Sequence, residues 1–310
     1  MTRFRWVLSC VLLTLAVAVP ARAQQQHAVV AKKPAAGYAG NESCLECHKK
    51  EATGFLESGK GKLLVNHPRD KHESLGCESC HGKSKDHAES GGEQVGAMVT
   101  FGKKTKLPAQ VRNAACLQCH EKTARLWWKG SQHESRDVTC TSCHNAMHSA
   151  SERASLRKET VLATCVTCHQ QRKSQQIRFS HMPLGQGKMD CTSCHNPHGS
   201  ANEKMLVASS TNAVCTSCHA EKRGPFLWQH APVTENCANC HDSHGSNKEK
   251  MLKVARPRLC QQCHASSGHP VAPRSPGLPQ DIQFMFNRQC SNCHVNIHGS
   301  NHPAGAFFTR

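Results

Sequence analysis

The chain contains one long run of apolar residues, and this run lies at its N-terminus. Trp6 to Val19 are mostly apolar, follow the basic residues Arg3 and Arg5, and precede Ala21-Arg-Ala23. This order is typical of a secretory signal peptide that is cleaved after a small residue. The run is shorter than the roughly 20 residues that a membrane-spanning helix requires, so a retained anchor is the weaker alternative. We predict a cleaved signal peptide over residues 1–23.

Beyond residue 23, the apolar positions predict neither a membrane-spanning helix nor lipid-facing strands. Residues 24–40 are rich in Gln, Ala, Lys, Pro and Gly without a periodic pattern, which predicts a flexible leader. Prolines 270, 273, 276 and 279 exclude a long helix between residues 265 and 289. Aromatic residues are only 5% of the chain, so few large side chains are available for a core. The pattern predicts short α-helices joined by loops, with little or no β-structure.

The motif Cys-x-x-Cys-His occurs ten times and changes this picture. Two thiols three residues apart can form thioethers with one porphyrin, and the following His can bind its iron from the proximal side. Zinc ribbons and disulfide frameworks do not require a His after every second Cys. We therefore predict ten covalently bound haem c groups, numbered 1–10 along the chain. The thioether cysteines are Cys44, Cys47, Cys77, Cys80, Cys116, Cys119, Cys140, Cys143, Cys165, Cys168, Cys191, Cys194, Cys215, Cys218, Cys237, Cys240, Cys260, Cys263, Cys290 and Cys293. The proximal ligands are His48, His81, His120, His144, His169, His195, His219, His241, His264 and His294.

The cysteine count and the chain length agree with this prediction. Cys10 leaves with the signal peptide, and the 21 cysteines of the chain then become ten pairs. Export also fits the chemistry, because c-type haem is attached outside the cytoplasm. Residues 24–310 provide about 29 residues for each haem. The porphyrins must then supply most of the buried apolar surface, and we expect folding to depend on haem attachment.

The basic charge of the chain does not indicate a nucleic-acid partner. The formal net charge is +17, and removal of Arg3, Arg5 and Arg22 lowers it to +14. Each ferric bis-His haem with two ionised propionates adds about −1, so ten haems bring the total to roughly +4. In the ferrous state the total is roughly −6. We therefore expect the Lys and Arg side chains to offset propionates.

An internal repeat indicates how the motifs are grouped. Residues 191–206 match residues 237–252, sharing Cys-x-x-Cys-His-x-x-His-Gly-Ser and then Glu-Lys-Met-Leu. Looser copies begin at Cys140 and Cys290. The repeat predicts a decahaem domain over residues 41–310 built from five units of two haems. A division into two pentahaem halves, about 41–180 and 181–310, is the alternative grouping.

Histidines outside the motifs are candidates for the distal ligands. In each unit one His, the leading histidine, precedes the second motif, and another, the trailing histidine, follows it. His67 is preferred to His72 because it lies ten residues before Cys77, as His181 lies ten before Cys191. His198 is too close to His195 to bind the same iron from the opposite side, so it should bind a neighbouring haem. The distal candidates are His67, His133, His181, His230 and His269 (leading) and His87, His148, His198, His244 and His298 (trailing). His27, His72 and His302 are interpreted as surface residues.

Ten distal candidates for ten irons favour an electron carrier over an enzyme. An iron with two imidazole ligands has no open position for a substrate and exchanges electrons by outer-sphere transfer. The chain has no Cys-x-x-Cys-Lys variant, and its eight Met residues are not needed as ligands. Aromatic residues between the motifs are expected to pack on haem faces, with an aromatic electron relay as the less favoured alternative. They are Trp127, Trp128, Trp228, Phe284 and Phe286.

The number of motifs, the chain length and one sequence box together resemble a known family. The box is Gly76-Cys-Glu-Ser-Cys-His-Gly82, followed by His87 and Gly91-Gly92. It is similar to the periplasmic decahaem cytochromes of the MtrA/MtoA/PioA and DmsE type, and the Cys-His-x-x-His-Gly-Ser segments toward the C-terminus are also similar. One departure is Gly82-Lys-Ser-Lys-Asp-His87, where members often have Gly-Pro-Gly before the His.

The resemblance implies an elongated series of haems inserted into an outer-membrane β-barrel porin. Such a protein is periplasmic and associated with the outer membrane. It exchanges electrons with periplasmic or inner-membrane cytochromes on one side, and with an extracellular multihaem cytochrome or a mineral on the other. A soluble periplasmic shuttle to a terminal reductase is the alternative function, and a multihaem redox enzyme is a third.

Overall fold

The structure is a computed structural model that describes residues 35–181, 184, 186–264 and 289–309. Contacts between residues group the chain from residue 36 onward into one compact body. The predicted signal peptide, most of the leader, His27, His269, the four prolines, Phe284 and Phe286 lie outside the described residues. No helix among the described residues has the length and apolar character needed to cross a bilayer.

Short helices separated by loops make up the described chain, which confirms the predicted fold class. The α-helices are α1 Asn41–Cys47, α2 Lys49–Glu57, α3 Gly59–Gly61, α4 Glu78–His81, α5 Lys85–Glu89, α6 Ala109–Leu117, α7 Cys140–Cys143, α8 Val161–Cys165, α9 Gln170–Gln176, α10 Thr211–Thr216, α11 Ala231–Glu235 and α12 Arg258–Gln261. A π-helical turn spans Lys62–Asn66. The 3₁₀ turns are Glu73–Leu75, Thr123–Arg125, Glu134–Arg136, Cys191–Ser193, Glu203–Met205, Ala220–Lys222, Cys237–Asn239, Glu249–Met251, Cys290–Asn292 and Gly305–Phe307.

Each of the ten motifs forms a helical turn. In every copy the backbone N–H of the motif histidine donates to the carbonyl of the first cysteine, at 2.9–3.2 Å. This bond between residues four apart places both thiols and the imidazole on one side of the turn. The local fold therefore gives each motif the geometry that attachment to a single porphyrin requires.

Backbone pairing between the helices is limited to isolated bridges among the described residues. Three bridges join a motif histidine to a leucine eleven or twelve residues later: His144 with Leu156, His195 with Leu206, and His241 with Leu252. Two more join successive units: Phe179 with Ser246, and Trp228 with Ser300. The first group folds the chain back over its own motif, and the second attaches one unit to the next.

Buried apolar side chains are few and mostly small. Within the described ranges they are Ala52, Phe55, Leu64, Ala109, Ala115, Trp128, Leu156 and Leu252. Three of them, Ala52, Phe55 and Leu64, come from one stretch of chain, the helical segment of unit 1. A protein core of this size is small for a chain of this length, as expected if porphyrins supply the remaining apolar surface.

Unit 1 includes the last residues of the predicted leader. The buried Glu78 carboxylate accepts the backbone N–H groups of Ala39 and Gly40, both at 2.9 Å. It also accepts from the backbone and the hydroxyl of Ser84. Four hydrogen bonds satisfy this buried carboxylate, so residues 39 and 40 belong with unit 1 rather than with a flexible segment.

Candidate haem sites

The two motifs of each unit meet at their first cysteines. In unit 1, the hydrogen bond with Cys77 raises the pKa of the Cys44 thiol above its ordinary value. Burial, and after it the thiol of Cys237, raise the pKa of Cys215 to about 11. Such effects require neighbouring thiols. The five pairs of adjacent first cysteines are Cys44–Cys77, Cys116–Cys140, Cys165–Cys191, Cys215–Cys237 and Cys260–Cys290.

Successive units meet at the second cysteines of their facing motifs. Burial raises the pKa of the Cys143 thiol, and after it the thiol of Cys168 raises it further. The same relation is found for Cys194–Cys218 and Cys240–Cys263. Burial also raises the pKa of Cys80; Lys60 opposes this, and the thiols of Cys116 and Cys119 raise it further. Adjoining first cysteines within units therefore alternate with second cysteines that lie near each other between units. Each motif lies beside the motifs that precede and follow it in the sequence.

Six proximal histidines face a distal candidate at a distance suited to a shared iron. Their ring centroids are 6.0–6.3 Å apart. Two metal–nitrogen bonds of about 2 Å, together with the two half-rings, span about 6 Å. The residues present therefore fit an iron held between two imidazoles. The pairs are His48–His87, His169–His133, His144–His198, His195–His244, His264–His230 and His241–His298.

In each of these six pairs, one imidazole has its Nδ1 beside a backbone carbonyl. The proximal ring is the one held at His144, His195 and His241, with acceptors at Ala154, Lys204 and Lys250, 2.6–2.9 Å away. The distal ring is the one held at His87, His133 and His230, with acceptors at Gln94, Pro197 and Ile297, 2.7–3.1 Å away. An Nδ1–H that donates to a carbonyl leaves Nε2 free to bind metal and fixes the ring orientation.

Three further histidines have the same carbonyl contact, and two of them, His81 and His181, have no histidine ring at this distance among the described residues. They are His81 with Val99, His181 with Ser243, and His294 with Phe307, at 2.5–3.1 Å. The distal candidates His67 and His148 also lack a ring pair at this distance within the described ranges, and His269 lies outside them. His148 packs against Gly54 of α2, where a Cβ would stand 2.5 Å from its Nδ1.

Burial keeps several of the distal candidates neutral. It lowers the pKa of His198 to about 4 and that of His298 to about 4. Burial also lowers the pKa of His244. A neutral imidazole is the form that binds a metal, because the protonated ring has no free lone pair.

Apolar residues border two of the distal candidates, the trailing His198 and the leading His181. Trp128 is 7% exposed, and its ring lies 6.4 Å from that of His198. A cavity of about 430 Å³ beside His181 is lined by Leu162, Ile177 and Phe179. Large apolar pockets next to ligand positions are suited to porphyrin faces.

The repeated Glu-Lys-Met-Leu segment proves to be part of the site. Lys204 and Lys250 adopt positive φ values of 55° and 54°. Their carbonyls are the acceptors for His195 and His241, so the segment orients the proximal ring. The sequence showed the repetition of these four residues but not that their backbone orients a histidine ring.

Sequence reasoning also missed an asparagine three residues before the first motif of units 1, 2 and 4. Each asparagine Oδ1 accepts the backbone N–H that opens the second motif. The three bonds are Asn41 to Cys77, Asn113 to Cys140, and Asn212 to Cys237, at 2.6–2.9 Å. Leu162 and Pro257 occupy this position in units 3 and 5. The shared spacing from the motif was the signal that could have revealed it.

The segment between residues 91 and 105 differs from a simple surface loop. It returns to its unit, where the Val99 carbonyl lies 2.9 Å from Nδ1 of His81. The ring of Phe101 meets the His81 ring edge-on at 5.3 Å. This long segment therefore does for His81 what the shorter Glu-Lys-Met-Leu segments do in the later units.

Three family models match the sequence. The doubled CXXCH motif matches residues 181–224 and 230–269. A family described as cytochrome c-type protein NrfB-like matches residues 77–160, and the family of cytochrome c554 and c-prime matches residues 15–82.

Relatives with established names are also multihaem proteins or cytochromes. The "Multiheme cytochrome MtrA" of Shewanella baltica is 45% identical over 296 residues, which cover 93% of this chain and 87% of the relative. The "High-molecular-weight cytochrome c" of Nitratidesulfovibrio vulgaris is 28% identical over 152 residues, or 47% of this chain and 24% of the relative. "Cytochrome c-554" of Nitrosomonas europaea is 30% identical over 110 residues, or 32% and 43% of the two chains.

Proposed function

Because the chain belongs to the MtrA family of multihaem electron-transfer cytochromes, we propose that it conducts electrons along ten bis-His haems through an outer-membrane porin. Covalent haem c is the cofactor of the family. The number of haems, their ligands and the porin are the parts that we add.

The observation that carries the proposal is the alternating proximity of attachment cysteines. Within a unit the first cysteines adjoin, as Cys116 and Cys140 do through a hydrogen bond, and between units the second cysteines lie near enough for one thiol to raise the pKa of the other, as Cys168 does for Cys143. Thioether sulfurs lie at the porphyrin edge, so adjoining cysteines bring two porphyrin edges together. Electrons can then pass between consecutive haems in sequence order.

We assign the axial ligands by a rule that five of the six ring pairs follow, all except His48–His87. A trailing histidine pairs with the second proximal histidine of the preceding unit, as His198 does with His144. A leading histidine pairs with the first proximal histidine of the following unit, as His133 does with His169. Each junction thus exchanges two ligands, one in each direction.

The rule extends to three further irons. It assigns His148 to His81, His181 to His219, and His67 or His72 to His120. The two ends of the chain have only one neighbouring unit, so each must supply one ligand internally. His87 does this for His48 in unit 1, and the remaining distal candidate, His269, is assigned to His294 in unit 5.

Bis-His ligation defines what the chain does chemically. The bound haems supply the reversible one-electron chemistry. The protein orients each imidazole pair and keeps both coordination positions filled, which excludes substrate binding at iron. On this proposal the protein is a conductor without a catalytic residue.

Electron transfer across the membrane requires both a series of haems and a porin around them. A bilayer core is about 30 Å thick, which no single haem can bridge. Loop-rich backbone must be shielded from lipid, and a surrounding barrel provides that shield. We propose export by residues 1–23, a periplasmic location at the outer membrane, periplasmic or inner-membrane cytochromes on one side, and an extracellular multihaem cytochrome or mineral on the other.

Reconstitution tests the proposal. With its porin in a sealed vesicle, the protein should carry electrons between a redox dye inside and an acceptor outside. The porin alone and the cytochrome alone are the two controls, and neither should show this transfer. A protein that binds no outer-membrane partner and donates only to a periplasmic reductase would instead be the soluble shuttle.

A further inference from the structure

The glycine that follows a trailing histidine lies against the backbone of the preceding unit. Gly199, next to His198, has φ +102°. A Cβ at this position would stand 2.1 Å from the carbonyl oxygen of Trp127 and 2.9 Å from Cβ of Ser131. Backbone atoms cannot move aside as a flexible side chain can, so only glycine fits this contact.

The same segment orients the distal histidine of another iron. The Pro197 carbonyl, one residue before His198, lies 2.7 Å from Nδ1 of His133. His198 pairs with His144, the proximal ligand of haem 4, and His133 pairs with His169, that of haem 5. Residues 197–199 therefore touch the distal ligands of two consecutive haems.

Asn196 fixes this segment from its N-terminal end. Its Oδ1 accepts the backbone N–H of His198 at 3.1 Å, and its Nδ2 donates to the Ala124 carbonyl of unit 2 at 2.8 Å. One bond orders the segment internally, and the other attaches it to the preceding unit. The side chain thus stabilises the position that the glycine permits.

Two other junctions repeat the arrangement. A Cβ on Gly245 would stand 2.2 Å from the Gln175 carbonyl oxygen, and one on Gly299 would stand 2.2 Å from the Phe226 ring. The carbonyls of Ser243 and Ile297 lie 3.1 and 2.9 Å from Nδ1 of His181 and His230. The same combination of close glycine and carbonyl acceptor therefore occurs at each junction from unit 2 to unit 5.

We propose that the glycine after the trailing histidine is a positioning residue shared by two consecutive irons. Displacing it moves the trailing histidine, which binds the earlier haem, and the carbonyl that orients the leading histidine, which binds the later one. This inference rests on the bis-His ligation proposed above. It adds that the ligand sets on the two sides of a junction are linked rather than independent.

Gly199→Ala in the haem-loaded full chain tests the link. We expect two of the ten irons to become high-spin, counted by electron paramagnetic resonance and magnetic circular dichroism, with ten haems retained by mass. His198→Ala and His133→Ala should each convert one iron. Adding Gly199→Ala to the His133→Ala/His198→Ala double variant should convert no further iron, because both affected ligands are already absent.

Gly187→Ala is the matched control. Gly187 also has a positive φ, +69°, but a Cβ there meets no atom of the described residues within 4 Å. Gly187→Ala measures the backbone cost of alanine at positive φ without a clash, and it should leave all ten irons low-spin.

If Gly199→Ala fails to mature, Asn196→Ala retains the glycine and removes the two side-chain hydrogen bonds. On its own, Asn196→Ala should give a partial high-spin signal. Combined with His198→Ala, it should give high-spin iron amounting to more than one of the ten irons.

The outcomes separate the two proposals. High-spin iron in the untreated wild-type protein would contradict bis-His ligation itself. A fully low-spin wild type in which Gly199→Ala converts one iron or none would overturn the shared role while leaving the ligation intact. An Asn196→Ala variant with ten low-spin irons would also count against the shared role.

Discussion

Unit 1 and the middle units hold the same two motifs by different means. Unit 1 has the helical segment α2, α3 and Lys62–Asn66, in which Ala52, Phe55 and Leu64 are buried. The middle units have short hairpins in which a leucine pairs with the motif histidine, as Leu206 does with His195. A middle unit is covered by neighbours on both sides, and the first unit has only one neighbour.

The same difference appears in the ligands. His87 pairs with His48 inside unit 1, whereas His198 and His133 pair with irons of adjacent units. Unit 1 therefore has its own protein core and its own ligand. A middle unit can rely on porphyrins and on reciprocal ligand exchange for its stability.

Removal of one haem should give the largest difference between a middle unit and unit 1, measured as electron transfer. Replacing Cys140 and Cys143 by Ser removes the attachment of haem 4 inside the series, so electrons must cross the gap between haems 3 and 5. Transfer in the porin vesicle should fall to the level of the porin alone. Mass spectrometry would verify that nine haems remain.

The matched control replaces Cys44 and Cys47 by Ser in unit 1. Haem 1 lies at the end of the series, so nine consecutive haems remain and transfer should be slowed rather than abolished. Equal loss in the two variants would contradict the sequence-ordered arrangement of haems.

The small core of unit 1 should be sensitive to a single truncation. Phe55 is 5% exposed, and Phe55→Ala should lower the free energy of unfolding by about 3–5 kcal/mol through lost burial and a cavity. Phe307, in unit 5, is 74% exposed, and Phe307→Ala should change it by less than about 0.5 kcal/mol. Chemical denaturation followed by circular dichroism measures both. A tolerated Phe55→Ala would mean that the haems alone stabilise unit 1.

The geometry within each motif was predictable from the sequence, and the pairing of proximal with distal histidines was not. All parts of a motif lie within one helical turn, so Cys-x-x-Cys-His specifies its own geometry. The paired histidines are separated by 34 residues (His230 and His264) to 57 residues (His241 and His298). No periodicity links such positions, and the contacts depend on how successive units pack.

Backbone acceptors were also beyond sequence reasoning. The carbonyls of Lys204 and Pro197 orient His195 and His133, and any residue has a carbonyl. Only the conformation identifies which one is used. The positive φ of Lys204 illustrates this, because lysine has no preference for that conformation.

The smallest expected effect concerns the asparagine that unit 1 shares with units 2 and 4 but not with unit 3. Asn212 Oδ1 accepts the backbone N–H of Cys237 at 2.6 Å, and unit 3 has Leu162 at the same place. Asn212 Nδ2 also donates to the Val233 carbonyl at 2.9 Å, so the side chain joins the two motifs of unit 4.

Asn212→Leu copies unit 3 and should lower the free energy of unfolding by about 1 kcal/mol, comparable to the loss of a helix cap. Chemical denaturation measures that cost, and the reverse change, Leu162→Asn, should recover part of it in unit 3. A cost above about 3 kcal/mol would show that unit 4 depends on the asparagine in a way that unit 3 does not, because a single neutral hydrogen bond contributes about 1 kcal/mol. The middle units would then differ among themselves as much as they differ from unit 1.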